Sequence, residues 1–127
     1  MISYFISPAE HSDRWSVDPV QLRAQISAHW PEARFAAELL DETRHAIEWQ
    51  LQMSEGPVEG ALNRKGRGVI LRGDVCDCAT VAAWFRTTVP DWQELLFYDD
   101  GYNVHVSLRP GITAEEVARP FLDPPPV

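Results

Sequence analysis

Between residues 47 and 53, Ile47, Trp49, Leu51 and Met53 are interleaved with Glu48, Gln50 and Gln52. A period of two belongs to extended backbone, whose side chains point alternately to opposite faces, so this segment predicts a strand with one buried face. A second alternating region lies at 94–108, where Asp100-Gly101 separates two strand-like runs. Asp-Gly accommodates the backbone of a two-residue type I′ turn, which predicts a hairpin. Pairing outward from that turn sets Phe97 with Val104 and Leu95 with Val106 on the core face. Tyr98 with Asn103, Leu96 with His105, and Glu94 with Ser107 then share the other face.

Helical spacing appears three times. Asp18 is an N-cap residue followed by Pro19, with Gln21 at the reciprocal capping position, and Leu22, Ile26 and Trp30 recur about once per turn until Pro31. Asp74 caps a second run of Val75, Cys78, Ala79, Ala82, Phe85 and Val89 that Pro90 ends, with Asp77 complementing the helix dipole in its first turn. Thr113 and Glu116 form a capping box for a short helix that Pro120 is expected to stop.

The remaining segments are extended. Residues 2–7 are β-branched and aromatic, a polar loop follows through Ser16, and 34–40 suits either a helix or a strand and is taken as strand. Gly56-Pro57 predicts a turn, and runs at 58–62 and 69–71 flank the polar segment 63–68 as a hairpin with a basic tip. The order β-α-β-β-β-β-α-β-β-α predicts an α+β fold, a mainly antiparallel sheet with helices packed on one face. A parallel sheet would need more helical crossovers. The domain is expected to span 1–122, and the prolines of 123–127 to form a loose C-terminal tail.

Composition supports a packed domain: 127 residues, 45% of them hydrophobic, suffice for one core. The apolar N-terminus lacks a basic stretch and is interrupted by Pro8, Glu10 and His11, so it does not read as a signal peptide. No apolar run approaches the roughly 20 residues that cross a bilayer. Cys76 and Cys78, one residue apart, are badly placed to bridge each other, which points to reduced thiols and a cytoplasmic location.

The net charge is −8 and unevenly spread: residues 63–73 hold Arg64, Lys65, Arg67 and Arg72 with no acid, between two acidic flanks. An acidic chain repels phosphate backbones, so nucleic acid is a poor partner and a basic protein a better one.

Candidate chemistry is sparse. Cys76-Asp77-Cys78 offers two soft ligands near a helix N-terminus, where a thiol pKa can fall, but a structural zinc site generally needs four. Both cysteines read most simply as structural. His11, His29, His45 and His105 are scattered in no ligand pattern, so neither metal nor cofactor is expected. Asp99-Asp100 serve the turn. Nucleophile-elbow, Walker A and dinucleotide-binding motifs are missing. Arg64, Lys65 and Arg67 form a weak anion-binding candidate, against the plainer reading of a solvated tip. Trp49 and Trp84 fall within regular elements and read as core, whereas Trp15 and Trp92 fall in loops and are interface candidates.

These features favour a non-catalytic protein-binding module, such as an immunity-type inhibitor that masks a basic toxin or nuclease. Its binding face would carry Leu96, Tyr98, Asn103 and His105. One rival is a small enzyme or small-molecule-binding protein with a cleft between sheet and helices, using His105. Another is a homodimer subunit that pairs sheet faces.

Overall fold

The computed structural model describes residues 2–9, 15–35 and 45–123. Its elements follow the expected order: β1 (Ser3–Pro8), α1 (Pro19–His29), β2 (Arg34–Phe35), β3 (His45–Met53), β4 (Gly56–Asn63), β5 (Val69–Arg72), α2 (Val75–Thr87), β6 (Leu95–Asp99), β7 (His105–Ser107) and α3 (Ala114–Leu122). The strands form one seven-stranded sheet in the order β2-β3-β4-β5-β1-β6-β7. Every pairing is antiparallel, which confirms the α+β architecture. The first strand of the chain lies inside the sheet, between the β3-β4-β5 meander and the β6-β7 hairpin. That position explains why β1 turns apolar side chains to both faces, Tyr4 and Ile6 to one and Phe5 to the other.

One face of the sheet is the core. Tyr4, Ile6, Leu51, Val58, Leu62, Val69, Leu71, Leu95 and Phe97 are buried there at alternate positions of their strands. Leu22 and Ile26 of α1, Cys78, Ala82 and Phe85 of α2, and Val117 and Ala118 of α3 join the same cluster. All three helices therefore cover one side. Trp49 shares that face, and its indole occupies the space a side chain at Gly60 would need: a Cβ added there would lie 2.3 Å from the ring.

The helix ends follow from their capping residues. Asp18 accepts from the backbone N–H of Val20, and Asp74 from those of Cys76 and Asp77. The Asp77 side chain is itself buried and accepts from Ser54 Oγ (3.1 Å) and the Glu55 N–H (2.9 Å), tying the β3-β4 turn to the start of α2. In α3 both halves of the Thr113–Glu116 capping box form.

Four expectations need correction or limits. Pro120 does not stop α3, which continues to Leu122. The proline falls in the last turn, where the one lost backbone bond is offset by Phe121 packing edge-on against Tyr4 and Phe97. The turn after β3 is Ser54-Glu55, and Gly56 and Pro57 pair with Met53 and Gln52 as the first residues of β4. Of the 34–40 segment, Arg34 and Phe35 form a strand and 36–40 lie outside the described residues, as do 124–127 of the tail.

The fourth concerns the β6-β7 hairpin. Tyr98 pairs with His105, Phe97 with Val106 and Leu96 with Ser107, a register two residues beyond that of an Asp100-Gly101 turn. The Asp99 carboxylate causes the slip by accepting from the N–H groups of Asn103 (2.8 Å) and Val104 (3.1 Å), which holds 100–103 together as a longer loop. Because the slip is even, each residue that stays in a strand keeps its predicted face.

Candidate functional site

The face of the sheet opposite the helices is where the register gathers aromatic side chains. Phe5 pairs with Ile70 on one side and Tyr98 on the other, Ala61 lies beyond Ile70, and His105 beyond Tyr98. These residues form one row across five strands. The Phe5 and Tyr98 rings stack, centroids 5.5 Å apart and planes 20° apart, and Ser7 Oγ donates to Tyr98 Oη at 3.1 Å. Tyr102 leaves the loop and folds back over the hairpin: its ring lies 4.9 Å from Tyr98 and stacks on His105 at 5.0 Å and 18°. Phe5, Tyr98, Tyr102 and His105 thus make a continuous aromatic ladder.

Beside the ladder is an open depression of about 320 Å³, lined by Phe5, Ser7, Ala61, Asn63, Ile70 and Tyr98. Its lining is mostly apolar. That size falls at the small end of ligand pockets.

Of the residues singled out in the sequence, Leu96, Tyr98 and His105 sit on this face, with Leu96 half-buried between Ser7 and Ser107. Asn103 does not oppose Tyr98. It is exposed in the loop, its N–H bound to Asp99. Phe5, Ile70 and Tyr102 belong to the surface and were missed. The consecutive apolar residues Tyr4-Phe5-Ile6 and Val69-Ile70-Leu71, which leave one apolar side chain on the second face of each strand, were the available signal for the first two. Nothing local marks where the Tyr102 ring goes.

The basic tip is folded against the chain before α1. The Gly66 carbonyl accepts from the Val17 N–H (2.6 Å), the Gly66 N–H donates to the Asn63 carbonyl, and the Arg67 N–H donates to Asn63 Oδ1. Two backbone donors that could have cradled an anion are thereby occupied, while Arg64 and Lys65 remain exposed. Trp15, read from sequence as an interface candidate, is buried and packs edge-on against Phe85. Trp92 is exposed.

The thiols are poor nucleophiles. Burial, then the nearby Asp77 and Asp74, push the Cys78 pKa up to about 12. Desolvation, then Asp74, Asp77 and Glu55, raise that of the exposed Cys76. Burial, reinforced by the carboxylates around the start of α2, thus disfavours both thiolates. Arg86 is buried in the last turn of α2. Its Nη2 donates to the Pro90 carbonyl at 2.9 Å, while among the described residues Nε and Nη1 have no hydrogen-bond partner. Among the described residues no group of three His, Cys, Asp or Glu side chains is placed to hold a metal, and no helix is long and apolar enough to cross a membrane. His105 meets an aromatic ring, and among the described residues no hydrogen bond joins it to a carboxylate that would orient it as a base.

No protein-family model, curated protein or solved structure matches the chain.

Proposed function

We propose that this chain is a non-catalytic module that binds a basic protein through the open face of its sheet, as an immunity-type inhibitor in the cytoplasm masks a basic toxin or nuclease. The observation that carries the reading is the aromatic ladder of Phe5, Tyr98, Tyr102 and His105 beside an apolar depression, on a face that no helix covers among the described residues. Tyrosine with polar neighbours around an apolar centre is the composition of interface hot spots. A net charge of −8 favours and accelerates encounter with a basic partner.

The test uses the full chain as bait in host lysate, alongside Tyr98→Ala and His105→Ala, with eluates read by mass spectrometry and native mass spectrometry. The reading expects a basic protein at one-to-one stoichiometry that is depleted from both variant baits. A retained metabolite without a protein, or a stable dimer of the bait that captures nothing, overturns it.

A further inference from the structure

Among the described residues, Tyr102 alone of the non-glycines has a positive φ, 59°. A bulky side chain in the left-handed region costs on the order of 1 kcal/mol, and such positions collect at binding sites. The loop enforces this backbone: the Tyr102 N–H donates to the Asp99 carbonyl, and the Asp99 carboxylate holds the next two N–H groups. As a result the Tyr102 ring lies stacked on His105 yet remains about half exposed. Asp100 stands in the same loop, fully at the surface, its backbone N–H anchored on the Ser3 carbonyl.

An exposed aromatic ring in a loop that also carries the exposed acid Asp100, on a chain of net charge −8, favours a cation. A planar, weakly hydrated guanidinium stacks on tyrosine and pairs with a carboxylate in fixed geometry, which a compact and strongly hydrated ammonium does less well. Stacked nucleobases would bring phosphates toward an acidic chain. We propose that the Tyr102–Asp100 loop is an arginine subsite: a guanidinium of the basic partner stacks on the outer face of Tyr102 and bonds the Asp100 carboxylate. The subsite rests on the protein-binding reading and names the side chain that face receives.

The probe is the blocked peptide acetyl-Gly-Arg-Gly-Arg-Gly-amide, titrated at low salt into the full ¹⁵N-labelled chain and followed by amide chemical shifts. Its lysine counterpart is the control. Tyr102→Gly removes the ring where the backbone already suits glycine, and Asp100→Asn removes the charge. Saturable shifts centred on 98–105, at least fivefold weaker binding of the lysine peptide, and tenfold or greater weakening in Tyr102→Gly are expected. Equal binding of the two peptides, an undiminished titration of Tyr102→Gly, or shifts centred elsewhere overturns the subsite. A partner captured through Tyr98 and His105 that binds Tyr102→Gly as tightly as the parent defeats the subsite alone. A face that captures nothing defeats the reading beneath it.

Discussion

The Trp49 indole resting on Gly60 shows how one small residue permits one large one. Trp49→Ala leaves a cavity at the centre of β3 and is expected to cost about 3 to 5 kcal/mol. Gly60→Ala drives a methyl into the ring and also destabilises, on the order of 1–3 kcal/mol by overpacking. Since the two share one space, the double variant Trp49→Leu/Gly60→Ala is expected to be more stable than the sum of Trp49→Leu alone and Gly60→Ala alone predicts. Denaturant melts of the four proteins measure the coupling, and simple additivity would show that the contact does not form. Arg86 gives the opposite expectation. Its buried guanidinium leaves two nitrogens unbonded, and the carbonyl it reaches, that of Pro90, also accepts from the Gln93 N–H. Replacing such a group by an apolar side chain of similar length removes a desolvation cost and leaves no carbonyl bare. Desolvation outweighs the attraction of Asp91 for this cation, so Arg86→Met is expected to hold or raise the melting temperature; a drop of many degrees would show that the Asp91 attraction dominates.

At the scale of elements, local chemistry and tertiary packing divide the work. Capping residues determine where the helices begin: Asp18, Asp74 and Thr113 stand at the predicted starts. Thr113→Ala is expected to cost about 1 kcal/mol. The Thr113 backbone N–H, then the Arg109 side chain, hold the Glu116 carboxyl below its usual range. A carboxyl whose folded pKa is depressed contributes stability above its unfolded pKa and loses it as pH falls through the folded one. The melting-temperature gap between the parent and Glu116→Gln is thus expected to be present at neutral pH and to close in acid. A gap independent of pH would mean the carboxylate is not engaged. Element ends were less legible where a side chain reached across a turn or a later contact outweighed a breaker. Asp99 lengthened the hairpin loop by capping it, and Phe121 carried α3 past Pro120.

For the whole molecule, the α+β class, the antiparallel sheet and the face of each hairpin residue that stays in a strand could be read from the chain because alternation and capping are local. The strand order could not. Nothing in residues 3–8 states that they insert between β5 and β6, and that insertion is what brings Phe5 beside Tyr98 and completes the ladder. The sequence therefore pointed to Leu96, Tyr98 and His105 but not to Phe5, Ile70 or Tyr102. α3 packs against α2 on the core side, and among the described residues no helix lies over the opposite face.

The central claim, that this face binds a protein, is tested most directly by calorimetric titration of the captured partner into the parent chain and into Tyr98→Ala. Loss of the Phe5 stack costs about 0.5 to 1.5 kcal/mol of stability, so the variant should still melt cooperatively, only a few degrees lower. Its affinity is expected to fall by roughly thirtyfold or more, the ~2 kcal/mol of a hot-spot residue. A folded Tyr98→Ala that binds the partner as tightly as the parent would contradict it.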